Sequence, residues 1–176
     1  MSRLQPTAHD HVIGAGDRAR ITLVTYGDYQ CPHSARGVLL VAWLLQELGD
    51  GLRYLYRNFP LEDVHRDALA AARAAEAADR QGHFWDMHAT LFRHQHALDE
   101  RALHGYAATL GLDGDRFAHD LADPATLRRV LADRAGGEAL GVRSTPTFFV
   151  NGMKYDGPVD GIRALVEDVA AEVRQP

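Results

Sequence analysis

The alternation of apolar and polar positions predicts a strand, a helix and a second strand in the first third of the chain. Residues 20–26 are short, β-branched and almost continuously apolar, which is typical of a central strand covered on both faces. A helix is predicted over residues 32–48, with Pro32 in its first turn and glycine after its last. Residues 52–59 predict a second strand, which Pro60 stops. A helical crossover between consecutive strands indicates that the two are parallel.

The segments before and after this strand-helix-strand unit do not show a strand pattern. Residues 1–18 are polar without a period, which predicts a leader that lies on the surface or is partly loose. Residues 61–140 show no strand pattern and predict an insert of short helices, beginning with residues 63–80 and 84–92. Three later helices are each predicted to begin after an aspartate that acts as N-cap: Asp99, Asp113 and Asp123.

The strand pattern returns near the end of the chain. Residues 147–150 and 153–156 are joined by Asn151-Gly152, the strongest local signal of a β-hairpin. A last amphipathic helix is predicted over residues 159–173. The predicted order is therefore β-α-β, a helical insert, then β-β-α. This is an α/β fold in one domain of residues 1–176, with a mixed sheet and helices on both faces.

Composition and charge narrow the functional classes. The 176 residues carry a net charge of −5 and are 46% hydrophobic, which suits one globular domain. The longest apolar run, residues 38–45, is too short to cross a membrane. Residues 1–10 lack the apolar core of a secretory signal, so we expect a cytoplasmic protein without membrane association. A mildly acidic chain with no block of like charges is a poor candidate for nucleic-acid binding.

The only cysteine, Cys31, is the strongest candidate for chemistry, and it excludes an internal disulfide. It lies where the first strand turns into the first helix, in Cys31-Pro32-His33-Ser34. The free N–H groups and the dipole of a helix N-terminus favour a thiolate, as would a protonated His33 and a hydrogen bond from Ser34 to sulfur. The alternative is a buried structural cysteine. The turn beside proline, histidine and serine favours the reactive thiol.

Three motifs give the chain a resemblance to the DsbA-like branch of the thioredoxin superfamily. Residues 22–34 resemble the strand and active-site turn of that branch, and residues 81–88 resemble a helix of its insert. Residues 141–152 resemble its cis-proline loop and the strand that follows. The resemblance runs from about residue 11 to the end. It is closest to the bacterial group that is also found fused to sodium/proton antiporters.

The resemblance implies a fold and roles for single residues. It divides the chain into a thioredoxin-like subdomain and an all-helical insert, at residues 17–60 with 141–176 and at residues 61–140. Cys31 corresponds to the surface-exposed nucleophile, followed by Pro32 and His33 in the active-site turn. Thr145 corresponds to the residue whose backbone pairs with an extended substrate, and Pro146 to the cis-proline beside the nucleophile.

The chain departs from the family pattern at two positions. The family usually has a second cysteine where this chain has Ser34, and commonly a buried acid where this chain has Thr25. A serine cannot attack a mixed disulfide, because an alkoxide is far too basic and forms no S–S bond. The departures therefore predict chemistry through Cys31 alone: glutathione-linked exchange, disulfide isomerisation, or long-lived capture of a partner.

From these features we expect a monothiol thiol–disulfide oxidoreductase. Its partners would be protein or peptide thiols and disulfides, with glutathione as a candidate co-substrate and no other cofactor. Two alternatives stay open. One is a peptide-binding module that has lost turnover. The other is a kappa-type glutathione transferase, a class that resembles this fold but carries serine at the position of Cys31.

No metal site is predicted from the histidines. The nearest pairs, His94 with His96 and His83 with His88, do not share a helix face cleanly, and no cysteine can join them. We expect solvated histidines at helix ends. The apolar run at residues 38–45 predicts a helix buried between the sheet and the insert. A dimer surface is the alternative, so the chain would be a monomer or a weak homodimer.

Overall fold

A computed structural model describes residues 3–174, in which five strands form one mixed sheet. The strands are β1 (His11–Gly14), β2 (Ile21–Gly27), β3 (Leu52–Asn58), β4 (Thr147–Val150) and β5 (Met153–Tyr155). Their order in the sheet is β1-β3-β2-β4-β5. β2 and β3 are parallel and the other neighbours are antiparallel. Residues 1, 2, 175 and 176, which the predicted domain includes, lie outside the described residues.

Seven α-helices occur among the described residues, and their order confirms the predicted arrangement. They are α1 (Pro32–Leu48), α2 (Ala68–Asp79), α3 (Phe84–Arg93), α4 (Glu100–Thr109), α5 (Gly114–Ala122), α6 (Pro124–Ala139) and α7 (Ile162–Arg174). The single helix α1 connects the parallel strands β2 and β3, whereas α2 to α6 all lie between β3 and β4. The predicted helical insert is therefore present.

Local signals fix several element ends. The side chains of Asp99, Asp113 and Asp123 each accept a hydrogen bond from a backbone N–H in the first turn of a helix, as N-caps do. Asn151 and Gly152 have φ angles of 48° and 80°, the left-handed values that a tight hairpin turn requires. These predictions are confirmed because each depends only on neighbours in sequence.

The prediction of a surface or loose leader over residues 1–18 was wrong for Leu4 and for residues 11–14. Residues His11–Gly14 form the edge strand β1, antiparallel to β3, with His11 opposite Tyr56. Leu4 is buried, and its N–H donates to Gly152 O at 3.1 Å. The apolar pattern of the sequence does not predict this strand, because it is only four residues long and only His11 is buried. The sheet therefore extends N-terminally beyond the predicted subdomain boundary at residue 17.

The central strands are buried on both faces, as predicted, and successive residues alternate between two cores. One core contains the side chains of Leu23, Tyr54 and Phe148, together with residues of the insert and α7. The other contains their sequence neighbours Val24, Leu55 and Phe149. This alternation is the period of two that a β-strand imposes.

Two helical predictions need correction. Helix α1 is not buried all round, because only Ser34, Gly37, Val41 and Leu44 are buried and Leu39 is 73% exposed. Helix α2 begins at Ala68 rather than at residue 63. Residues 61–67 instead form a loop whose polar groups bond to the turn before α1, as described below. That long-range contact competes with helix formation at this end.

The sheet topology brings three loops to one edge. β2 and β3 are parallel, so their C-terminal ends, Gly27 and Asn58, lie side by side. β4 is antiparallel to β2, which places Thr147, at the start of β4, beside Tyr26 near the end of β2. The turn that contains Cys31, the loop after β3 and the loop before β4 therefore meet.

We predict that Gly37→Ala will destabilise the fold by roughly 1–3 kcal/mol, because α1 packs tightly on the loop before β4. A Cβ at position 37 would lie 3.0 Å from Phe148 Cζ and 3.3 Å from Pro146 Cγ. The matched control is Gly105→Ala in α4, where a Cβ meets nothing within 4 Å. There the better helix propensity of alanine should stabilise by roughly 0.5–1 kcal/mol. Urea unfolding of both variants tests this, and equal effects at the two positions would contradict it.

Candidate active site

Cys31 is the N-cap residue of α1, and Pro32 occupies the first helical position. The sulfur therefore lies at the end of the helix where backbone N–H groups are unpaired and the dipole is positive. The Cys31 thiol donates a hydrogen bond to Thr145 O across 3.3 Å. Residues 114 positions apart thus meet at the sulfur.

Cys31 is only 4% exposed, so the expectation of a surface-exposed nucleophile was wrong. The loop before β4 covers it, because β4 pairs directly with β2 and brings Thr145 onto the sulfur. The Thr145–Pro146 peptide bond is cis. Thr145 is itself buried, and its carbonyl binds the thiol rather than facing solvent.

Ser34 and His33, the last two residues of the Cys31–Ser34 motif, differ in burial. Ser34 is buried at 2% exposure, and its hydroxyl oxygen accepts a hydrogen bond from Asp28 N–H at 3.3 Å. The expected hydrogen bond from Ser34 to sulfur is not formed. His33 is exposed on the first turn of α1. Ser34 therefore ties the helix to the preceding turn, whereas the His33 side chain lies at the surface.

The sequence analysis missed Asp28, whose carboxylate lies directly behind the cysteine turn. Its side chain is fully buried. Oδ1 accepts a hydrogen bond from Gln30 N–H at 2.7 Å, and Oδ2 accepts from Leu61 N–H at 2.8 Å and from His65 Nδ1 at 2.9 Å. The only sequence signal was an aspartate directly after the strand. Asp is common in turns for conformational reasons, so this signal does not indicate a functional residue.

Two glutamine side chains hold the same turn. Gln30 exchanges two hydrogen bonds with Asp67, donating from Nε2 at 3.1 Å and accepting the Asp67 N–H at 2.8 Å. Gln95, just after α3, donates from Nε2 to Tyr29 O at 2.7 Å and to Cys31 O at 2.9 Å. The insert and the loop after β3 therefore both fix the backbone around the cysteine.

Thr25, at the position of the family's buried acid, lies in β2 at 2% exposure. Its neighbours across the sheet are Tyr56 and Phe148. A carboxylate here would lose its hydration between Tyr56 and Phe148, which is costly. Threonine avoids that cost and keeps a β-branched residue in the strand. The acid closest to the cysteine turn is Asp28 instead.

The expectation that the histidines are solvated was wrong for His88. It is 4% exposed, and its Nδ1 lies 3.0 Å from the hydroxyl of Tyr29, two residues before Cys31. Burial, with a contribution from the His11 cation, lowers the pKa of His88 to about 3. His88 is therefore neutral and forms part of the aromatic core behind the site.

His11 forms a charge cluster with buried Glu76 and exposed Asp79 that the sequence did not reveal. Its Nε2 lies 2.9 Å from Glu76 Oε1 and its Nδ1 lies 3.3 Å from Asp79 Oδ1, with the ring stacked on Phe84 at 3.4 Å. Burial lowers the pKa of His11, but the hydrogen bonds that its ring donates to Asp79 and Glu76 outweigh this effect and raise the pKa to about 9. One ligand-type atom from each of the three residues lies within 4.8 Å of the others. Because each ring nitrogen faces a carboxylate, the arrangement is an ion pair of an imidazolium.

Comparison with known proteins identifies a family and relatives to which this chain is similar. The family model described as thioredoxin matches residues 7–168. The chain is 42% identical over 167 residues to the Na(+)/H(+) antiporter NhaA 1 of Salinispora arenicola (strain CNS-205), covering 94% of the chain and 25% of that protein. It is 44% identical over 160 residues to the antiporter NhaA of Herminiimonas arsenicoxydans, covering 90% and 25%. The chain thus spans about a quarter of the length of these curated relatives.

Solved structures share the fold over almost the whole chain. A thioredoxin-like oxidoreductase from Silicibacter pomeroyi DSS-3 matches with a TM-score of 0.82 and 26% identity, covering 97% of this chain and 95% of that one. BdbD from Bacillus subtilis (oxidised) matches with a TM-score of 0.80 and 23% identity, covering 97% and 98%. α-DsbA1 from Wolbachia pipientis matches with a TM-score of 0.79 and 19% identity, covering 96% and 94%. These matches confirm the thioredoxin-like fold with a helical insertion. Among the helices that the structure describes, none is both long and apolar enough to cross a membrane.

We predict that His11→Asn will destabilise the fold in a pH-dependent way. The folded-state pKa of His11, about 9, is raised above the ordinary value of 6.5. Its ion pairs therefore contribute fully below about pH 6.5, by roughly 3 kcal/mol at most, and are lost as the pH rises through about 9. Urea unfolding at several pH values should show the wild type's advantage over the variant shrinking over that window. The control is His83→Asn, which removes an exposed histidine from Asp86. An advantage that does not change with pH would contradict the assignment.

Proposed function

The chain belongs to the thioredoxin family, and on this premise we propose that it is a thiol–disulfide oxidoreductase of the DsbA-like branch that works through Cys31 alone. The observation that carries the proposal is the position of the sulfur. Cys31 is the N-cap of α1, and its Sγ lies 3.3 Å from Thr145 O in the loop of the cis peptide bond. A thiol held at a helix N-terminus is stabilised as the nucleophilic thiolate.

The reaction is an exchange of sulfur partners. The Cys31 thiolate attacks one sulfur of a disulfide, a new S–S bond forms to Cys31, and the other sulfur leaves as a thiolate that takes a proton from solvent. A second thiol, such as glutathione, then attacks the mixed disulfide and releases Cys31 as a thiolate. This exchange has no net oxidation. Full reduction of the substrate takes a second thiol, which attacks the released mixed disulfide; the two thiols together supply one pair of electrons and leave joined as their own disulfide.

Because residue 34 is a serine, the thiol that resolves the mixed disulfide has to come from another molecule. It occupies the position of the resolving cysteine, is buried, and is bonded to Asp28 N–H. A hydroxyl there can neither attack the mixed disulfide nor store an internal disulfide. Turnover therefore depends on an external thiol, and without one the mixed disulfide persists.

The partners follow from this chemistry. We assign protein or peptide thiols and disulfides as substrates, with glutathione as the resolving thiol. A chain with one cysteine and no internal disulfide suits a reducing compartment such as the cytoplasm. Antiporter activity is named for the relatives that this chain matches over a quarter of their length.

A peptide-binding module without turnover is the second candidate, and the burial of the sulfur favours it. Cys31 is 4% exposed and donates its proton to Thr145 O, which is the arrangement of a resting thiol. In such a module a partner strand would bind at the loop before β4 without forming a disulfide. The third candidate, a kappa-type transferase, requires conjugation of an electrophile to glutathione, which a standard conjugation assay would detect.

We predict that a small alkylating agent will modify Cys31 at about pH 6 at least roughly tenfold faster than it modifies a model thiol, because the helix N-terminus populates the thiolate. Mass spectrometry after timed quenching measures the rate, and Cys31→Ser controls for modification elsewhere. A rate equal to that of the model thiol would favour the binding module over the enzyme.

We also predict that Ser34→Cys will create a dithiol activity that the wild type lacks. The wild type should exchange a small glutathione mixed disulfide in the presence of glutathione but reduce insulin with a dithiol reductant no faster than background. Ser34→Cys should raise insulin reduction by roughly tenfold or more, since a second thiol resolves the mixed disulfide. Ser34→Ala is the control, because it removes the hydroxyl without adding a thiol. Strong insulin reduction by the wild type would refute the single-cysteine mechanism.

A further inference from the structure

We propose that the free edge of β5 is the contact surface of a weak homodimer, in which two copies of this chain join their sheets antiparallel around a two-fold axis at Tyr155. This surface is distinct from the apolar run at residues 38–45, which the sequence analysis named as the alternative dimer surface. The proposal does not depend on the chemistry of Cys31.

The outer edge of β5 is open. The strand is last in the order β1-β3-β2-β4-β5, and its neighbour in the sheet is β4. Within residues 3–174, no backbone hydrogen bond joins residues 153–156 to any segment other than β4. The opposite edge of the sheet is partly covered, because Trp85 Nε1 donates to Val12 O at 3.2 Å. A row of unpaired N–H and C=O groups allows another strand to pair with β5.

The hydrogen-bond pattern of the sheet shows that the backbone groups of Lys154 face the open side. Asn151 N–H donates to Thr22 O at 2.8 Å, and bonding residues alternate along an antiparallel pair, so Phe149 also bonds to β2. Lys154 lies opposite Phe149 in the β4–β5 pair, so its N–H and C=O point away from β4. By the same alternation, the next residue with outward backbone groups is Asp156.

Charge selects one register for the pairing of two identical edges. Outward backbone groups have to meet outward groups, which allows three pairs: Lys154 with Lys154, Asp156 with Asp156, or Lys154 with Asp156. The first two place like charges directly opposite each other, which is destabilising. The third places opposite charges together, and the two-fold symmetry of the contact repeats that pair. Its axis passes between the two Tyr155 residues.

The side chains that this register uses are accessible and lie together. Lys154 Nζ is 3.1 Å from Asp156 Oδ1 within one chain, and the two side chains are 36% and 78% exposed. Pairing with a second copy therefore leaves the core closed. Each pair of Lys154 with Asp156 would exchange both backbone N–H···O bonds, and Met153, which is 47% exposed, adds apolar area to the contact.

The short edge strand makes the association weak. β5 has three residues, and a lysine on a short edge strand usually keeps other strands away through the repulsion of like charges. Asp156 removes that repulsion in one register and leaves it in the others. The edge therefore rejects most strands but accepts its own copy, with an interface smaller than those of stable complexes.

Sedimentation velocity of the full chain tests the association, with a reductant present to prevent disulfides through Cys31. The weight-average mass should rise towards twice the monomer mass as the concentration approaches roughly 1 mM, since a small interface binds weakly. Lys154→Glu and Asp156→Lys should each abolish the rise, whereas the variant with both changes should restore it. Arg66→Glu is the matched control, because it reverses an exposed charge that binds Asp67 at 3.2 Å and lies away from β5.

Cysteine cross-linking in a Cys31→Ser background tests the register. A Lys154→Cys chain and an Asp156→Cys chain should cross-link with each other under oxidation at least roughly tenfold more than either does with itself. The reason is that the Cα atoms of a hydrogen-bonded antiparallel pair lie about 5.5 Å apart, which suits a disulfide. Thermal unfolding reports whether each variant is folded, and the cross-linking result decides if a charge variant is not.

Three results would overturn the proposal. One is a monomer mass at every concentration. Another is a dimer that charge reversal at positions 154 and 156 leaves unchanged, which would place the contact on another surface, such as the side of α1 that exposes Leu39. The third is cross-linking of Lys154→Cys with itself at the level of the mixture, because the two lysine positions then lie opposite each other.

Discussion

The antiparallel pairing of β4 with β2 is the constraint on which the site depends. It places Thr147 beside Tyr26, and so brings the loop before β4 over the turn that follows β2. The hydrogen bond from Cys31 Sγ to Thr145 O, and the close packing of Gly37 on Pro146, both follow from that register. A slip of one residue would turn every side chain of β4 to the other face, so the two cores of the sheet hold the register that the site needs.

The turn before α1 is hydrogen-bonded to three other parts of the fold: the loop after β3, the start of α2 and the insert. The Asp28 carboxylate binds the loop after β3, Gln30 binds Asp67 at the start of α2, and Gln95 reaches back from the insert to Cys31 O. These bonds pre-organise the backbone at the cysteine without using the sulfur. Holding a reactive group on rigid surroundings reduces the entropy that its reaction has to overcome.

The two departures from the family pattern have a common physical basis. An acid buried near a second thiol can serve proton transfer, but beside Ser34 it would bring only the cost of desolvation. The strand therefore carries Thr25. The carboxylate near the turn is Asp28, and three hydrogen bonds offset the cost of its desolvation. The insert is likewise held by a compensated charge: the His11 imidazolium joins β1 to α2 through Glu76.

The sequence by itself determined what depends on near neighbours. Helix α1 has the predicted bounds because Pro32 starts it and glycine ends it, and the hairpin at Asn151-Gly152 follows from left-handed backbone angles. The N-capping aspartates bond within their own first turns. The candidate nucleophile also came from the sequence, since its place at a strand-to-helix turn is a local property.

Tertiary structure alone decided the burial of Cys31, the strand β1 and the pairing of Asp28 with His65. The two residues of that pair are 37 positions apart, and His11 lies 65 positions from Glu76. Such contacts leave no period in the sequence, because they arise only when the sheet register brings distant loops together. A short edge strand with one buried residue likewise carries too little apolar pattern to be distinguished from a loop. Local rules fixed most of the helices and strands, whereas long-range pairing fixed strand β1, the start of α2 and the environment of the sulfur.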